Sequence, residues 1–188
     1  SRLENSKRLK MNGKIALLDY FDGKEAAALL IDGELHDFFA EPGANAPGSI
    51  FKVKVKHQIK GSGGIFVESP DGDFFLHKTQ GINSGDVILV QVSSYGDREK
   101  LPRVTTKLLF KSRYVIVTPF NEGLNIAKNI QDNERRIQLK QLVLEGLDHI
   151  PYGMIMRSSC ASANKSEIIS DCKNTITTAQ NVLSAEDK

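Results

Sequence analysis

The chain has no tryptophan, and only two of its 188 residues are cysteine, Cys160 and Cys172. They lie outside any Cys-x-x-Cys pair, and the four histidines, His36, His57, His77 and His149, are scattered singly. That usage excludes a disulfide framework and lacks zinc-ligand spacing, so two free thiols in a reducing cytosol and no metal site are expected. Long apolar runs are missing too. None approaches the roughly 20 residues of a membrane span, and none reads as a charged-then-apolar leader. HExxH, GxSxG and P-loop signatures are absent, as is an acidic pair whose flanks clearly build a two-metal site. Charge of one sign is scarce as well. The 25 Lys and Arg against 23 Asp and Glu leave +2, so a polyanionic partner must be argued from where the cations sit.

What is present is most telling from Ser49 to Lys78. SIFKVKVKHQIK alternates apolar and basic residues, and in a β-strand successive side chains point to opposite faces. Phe51, Val53 and Val55 therefore face a core, while Lys52, Lys54 and Lys56 form a basic row. After a glycine-rich turn, IFVESPDGDFFLHK reads as a hairpin closed at Asp71-Gly72, which brings Phe66, Phe74 and Phe75 near that row. Phe74 and Phe75 are adjacent, so one of them leaves the core unless both faces are buried. Lysines interleaved with aromatics suit single-stranded nucleic acid, with cations tracking phosphates and rings stacking on bases. A row of lysines is also what a solvated edge strand uses against aggregation.

Residues 1–10, SRLENSKRLK, have no periodicity and read as an expression scar ahead of a native start at Met11. Residues 11–47 hold the strands KIALLDY, AAALLID and ELHDFF, the last two joined by the hairpin signal Asp32-Gly33. Pro42, Gly43, Pro47 and Gly48 break the pattern. Residues 48–110 then carry five short strands, FKVKVKHQI, GIFVES, DFFLHK, DVILVQVSS and VTTKLLF, which suit a small closed barrel of the OB type. Residues 111–188 read as β-α-β-α. The strand RYVIVTPF precedes the helix NERRIQLKQLVLEG, with Ile137, Leu139, Leu142 and Val143 on its apolar side and Gly146 as its stop. GMIMR and a helix from near Lys165 follow, its apolar positions being Ile168, Ile169, Cys172, Ile176, Ala179 and Val182, with Asn164 and Glu167 as a capping box. The fold class is α+β.

Arg157-Ser158-Ser159 ends the GMIMR strand a few residues before a helix begins. Carboxyl strand ends and helix N-termini favour anions, so a guanidinium, two hydroxyls and free amides there suit a terminal phosphate. A surface arginine with turn-forming serines is the plainer reading. Asp97, Arg98, Glu99, Lys100 and Arg103 read as a solvated loop, from which Lys100 or Arg103 could extend a phosphate track. Lys128, Arg135 and Arg136 solvate a helix start, or border a ligand approached closely at Gly123 and Asn125.

Together GKEAAALLIDGEL, KGSGGIFVESPDGDFFLHKTQG, VTTKLLFKSRYVIVTPF-NEGLNIAKNI and MIMRSSCASANKSEIISD resemble the amino-terminal part of the ribonuclease E/G family, particularly its shorter alphaproteobacterial-like members. The resemblance implies an S1-type OB barrel, inserted after strands of an incomplete RNase H-like subdomain and followed by a small α/β 5′-sensor module. It implies RNA contacts from Phe66 and Phe75, with Lys52, Lys54, Lys56 and Lys100 along the backbone. Arg157 and Ser158 fall on the family's phosphate-binding Arg-Thr pair, and Ile126 on the apolar residue beside the terminal base. The implied partner is single-stranded RNA, preferably 5′-monophosphorylated, in the cytoplasm, with a homo-oligomer left open. The family's magnesium-binding carboxylates lie in a later subdomain, so this stretch is expected to bind RNA without cutting it and to need no cofactor itself, with magnesium serving the larger protein. A noncatalytic RNA- or protein-binding scaffold is the alternative.

Overall fold

The computed structural model describes residues 13–21, 24–40, 45–59, 61, 63–77, 80–96 and 100–185. The expected scar at 1–10, the start at Met11 and the charged residues Asp97, Arg98 and Glu99 lie outside that set. The chain forms two compact units, Ser1–Ala44 and Asn45–Lys188.

In the first unit β1 (Lys14–Phe21), β2 (Lys24–Ile31) and β3 (Glu34–Ala40) form an antiparallel sheet in chain order. The hairpin expected at Asp32-Gly33 is there, both residues lying in the left-handed region with φ of 52° and 84°, as a two-residue primed turn requires. Leu17, Ala28 and Phe38 share a rung. Leu17, Leu18, Leu35 and Phe38 are all exposed, and because Leu17 and Leu18 are successive, both faces of the sheet carry apolar side chains.

The second unit begins with a closed barrel built from β4 (Ile50–Ile59), β5 (Gly64–Ser69), β6 (Gly72–His77), β7 (Val87–Ser94) and β8 (Arg103–Thr105). The order is β4-β5-β6-β8-β7, with β7 paired back onto β4 and β6–β8 the parallel contact. This arrangement is compatible with an OB-like fold. Its interior is the alternate set the sequence predicts: Val53, Val55, Ile65, Val67, Phe74, Leu76, Val90, Val92 and Val104. The expected fifth strand, VTTKLLF, is broken. After β8 the chain bends, buries Leu108, and resumes as β9 (Phe110–Lys111), which belongs to the next layer.

That layer is a sheet in the order β11-β12-β10-β9, from β9, β10 (Val115–Thr118), β11 (Leu124–Ile126) and β12 (Gly153–Met156). Helices α1 (Asn133–Gly146) and α2 (Lys165–Ser184) complete it. The β-α-β reading needs correction. β10 runs antiparallel to β12, and the parallel partner of β12 is the short β11, from the segment LNI. Three residues are too few for a strand signal in the sequence. Within α1, Leu139 and Val143 are buried and Leu142 is half-buried, whereas Ile137 is 58% exposed, because it points away from the i, i+4 pair that meets the core. Gly146 is the last residue of α1, which ends as Leu147 turns extended, and its lack of a side chain admits α2: a Cβ there would lie 2.5 Å from Ile169 Cδ1. Half of the expected capping box forms. The Asn164 side chain accepts from the Ser166 amide, while Glu167 turns instead to the phenol of Tyr114.

Barrel and α/β layer are joined by a side chain that behaves as backbone. Gln91 is 8% exposed; its Nε2 donates to the carbonyls of Gly48 (3.0 Å) and Leu109 (2.8 Å), and its Oε1 accepts from the Leu109 amide (2.9 Å). Gln91→Ala would remove the partner of three part-buried backbone groups, each such bond contributing about 0.5–1.5 kcal/mol. A lower denaturation midpoint for this variant, with an unchanged denaturant slope, is the expected outcome of equilibrium unfolding.

Candidate nucleic-acid interface

The outer face of the barrel presents the residues that the alternation places there. Lys52 and Lys54 are exposed and pair with no described carboxylate, whereas Lys56 is engaged by Glu68. Of the predicted row, two lysines are therefore left to act as free cations. Phe66 and Phe75 face each other directly across β5 and β6, half-buried, while Phe74 fills the interior. Their neighbours were not legible as a group in the sequence. A register shift between Val55 and His57 leaves Lys56 as the extra residue and sets His57 opposite Phe66, and such a bulge re-aims the side chains that follow it. The two rings then stack at 5.3 Å and 16°, and His77 meets Phe75 edge-on at 5.3 Å. Arg103 lies opposite Phe75 in the parallel pair with β8. Lys100 is exposed on the segment leading into that strand.

Gly64 makes this platform possible. A Cβ at that position would lie 2.1 Å from Phe75 Cε2, so the ring rests on bare backbone. The result is a row of π faces, His57, Phe66, Phe75 and His77, bordered by Lys52, Lys54 and Arg103.

The second constellation is at the carboxyl end of β12. The Arg157 amide donates to the Tyr114 carbonyl (2.8 Å), and its Nη1 donates to the carbonyl of Ser112. Ser159 Oγ donates to the Arg113 carbonyl at 2.5 Å. Ser158 opens a 3₁₀ turn, Ser158–Ala161, with its side chain exposed. A guanidinium has five N–H donors in a fixed fork; one nitrogen of Arg157 is anchored on Ser112 and the residue is exposed.

The anchor is itself held from α2. Asp171 Oδ2 accepts from Ser112 Oγ (2.6 Å) and from the Tyr114 amide (2.8 Å). Tyr114 Oη donates to Glu167 Oε2 at 3.0 Å, and the Arg113 guanidinium lies over the tyrosine ring at 5.2 Å. Burial, reinforced by the bond to Glu167, pushes the Tyr114 phenol above its ordinary pKa, which keeps it a donor.

Arg135 and Arg136 turn out to be clamps. Arg135 donates twice to the Cys160 carbonyl (3.1 and 2.7 Å) and once to that of Ala163 (3.0 Å); Arg136 donates to Ala127 (3.0 Å) and Ile130 (2.9 Å). Adjacent residues in the first turn of α1 thus hold the two loops that follow β11 and β12. Ile126 is opposite Met156, one residue from Arg157, but its side chain is 6% exposed and packs in the core.

Among the described residues no three His, Cys, Asp or Glu side chains come together in a way that could hold a metal ion, and none of their helices is long and apolar enough to cross a membrane.

Residues 110–188 match the Ribonuclease E/G family. The chain is 30% identical over 87 residues, 46% of its length, to a ribonuclease E/G-like protein of Pyropia yezoensis, covering 17% of that protein. It is 22% identical over 164 residues, 78% of its length, to a ribonuclease E of Nostoc sp., covering 24% of it. It is 29% identical over 92 residues, 49% of its length, to a ribonuclease G of Haemophilus influenzae, covering 18%. The chain therefore spans about a quarter or less of the length of these relatives.

Both cysteines are free and buried. Burial, and then the neighbouring Asp171 carboxylate, push the Cys172 thiol up to about 12, and burial raises Cys160 in the same direction. Because the thiolate is the reactive form, alkylation of the native chain should stay slow between pH 7.5 and 9.5. In denaturant both thiols should react with the ordinary pH dependence of a cysteine, about pKa 8.5, which a timed iodoacetamide assay read by mass spectrometry will show.

Proposed function

With a ribonuclease E/G family region across residues 110–188, we propose that this chain is an RNA-binding part of an RNA-processing endoribonuclease, gripping one single strand at two places. The barrel acts as an S1-type module: bases stack on Phe66 and Phe75 while Lys52, Lys54 and Lys100 follow the phosphates. The carboxyl end of β12 acts as a 5′-sensor, where Arg157 and the Ser158 hydroxyl and amide take a terminal monophosphate. Ile126 contributes by fixing the floor beneath the first nucleotide. The three-stranded sheet of Ser1–Ala44 is read as part of an RNase H-like subdomain, and cleavage with magnesium belongs to the larger protein, which works in the cytoplasm. The observation that carries this reading is the Phe66–Phe75 pair, two half-buried rings side by side outside a closed barrel, with Gly64 kept clear beneath one of them.

Titration with a 3′-labelled unstructured RNA tests it. A 5′-monophosphorylated oligonucleotide should bind more tightly than its 5′-hydroxyl twin, and Arg157→Ala should abolish that difference, since a hydrogen bond to a charged group contributes about 1.5–3 kcal/mol. Phe75→Ala should weaken both RNAs by about 1–3 kcal/mol, and Gly64→Ala should act in the same direction by dislodging the ring. Equal binding of the two RNAs would remove the sensor. No saturable RNA binding at all would leave a protein-binding scaffold as the better account.

A further inference from the structure

Between the barrel and α2 runs a cleft of about 730 Å³, within the size range of ligand sites. Its barrel wall includes Ser93, Thr105 and Lys107, and its opposite wall Lys111, Asn174 and Thr178. We propose that this cleft is a third RNA contact, a track that carries two or more phosphodiesters between the terminal-phosphate site and the aromatic platform. The inference rests on the reading of those two sites given above.

Continuity supports it first. On β8, Arg103 and Thr105 lie on the outer face on either side of buried Val104, and Arg103 is opposite Phe75. The strand that borders the platform thus leads into the cleft at Thr105. At its other end the cleft is lined by Ser112, whose carbonyl anchors Arg157. Through Arg103–Thr105 on one side and Ser112 on the other, the cleft lining is continuous in residues with the platform and with the guanidinium anchor.

Charge supports it next. Lys107 and Lys111 are exposed and pair with no described carboxylate. The one acid in the lining, Asp171, has an oxygen already committed to the Ser112 hydroxyl and the Tyr114 amide. Among the neutral polar groups of the lining, the Ser93 and Thr178 hydroxyls donate to the carbonyls of Arg103 (3.1 Å) and Asn174 (2.9 Å), which leaves the Thr105 hydroxyl and the Asn174 amide as groups of the kind that contact phosphate and sugar. Rigidity completes the case. Gln91 lines the cleft and ties Gly48 and Leu109 together beneath it, so its walls are set before a ligand arrives, which lowers the ordering cost of binding.

The test compares a 5′-monophosphorylated dinucleotide with a 5′-monophosphorylated decanucleotide on the wild-type chain and on the exposed-site double variant Lys107→Gln/Lys111→Gln. Each phosphate contact on a single strand contributes about 0.7 to the slope of log K against log salt. For the decanucleotide the variant should therefore lose about 1.4 from that slope and bind more weakly, while its affinity for the dinucleotide stays unchanged. An unchanged slope for the decanucleotide, with wild-type preference for the 5′-monophosphate intact, overturns the track alone. A wild-type chain that binds neither RNA overturns the two-site reading and the track with it. Equal weakening of both oligonucleotides places the lysines at the terminal phosphate and also overturns the track.

Discussion

The amide of Gln91 holds the second unit together at its most exacting point. A barrel strand must end, the chain must turn, and a new sheet must start, all beneath a cleft. Backbone groups at such a junction have no ladder to join, and leaving them unpaired in the interior would be costly. A glutamine offers a donor pair and an acceptor with the same spacing as a peptide group, so one side chain completes both the loop at Gly48 and the start of the sheet at Leu109. The direction in which β9 leaves the barrel, and so the placing of Lys111 and Ser112, depends on this bond set.

From that junction the carboxyl end of β12 is assembled by relay. Asp171 on α2 fixes Ser112 and Tyr114, and these fix Arg157 through two carbonyls. Arg135 and Arg136 fix the loops on either side. Arg135 and Arg136 are half-buried and their guanidinium groups each bind two carbonyl oxygens, whereas Arg157 is exposed and its guanidinium binds one.

Much of this was legible in the sequence where periodicity governs. The partition of Val53 and Val55 from Lys52 and Lys54, and of Phe74 from Phe75, follows from the pleat alone, and the structure reproduces it. The turn at Asp32-Gly33 follows from the left-handed conformations a primed turn demands. What escaped depends on events without a local signature. The bulge at Lys56 brings His57 onto Phe66; β11 is too short to announce itself, and with it the burial of Ile126 against β12. The two arginines of α1 read as solvated because their acceptors lie in loops, one of them about 25 residues away along the chain.

The parallel contact between β6 and β8 spans only two registered pairs, Phe75 with Arg103 and Leu76 with Val104, extended by one bond from the Phe75 amide to Pro102. Every other seam of the barrel is antiparallel. A short parallel seam is where local opening costs least, and here it runs directly under the ring of Phe75. The barrel therefore has a built-in soft line beside its stacking platform. If bases stack on Phe75 as proposed, they would rest against the edge of the wall that yields most readily while the antiparallel seams stay shut.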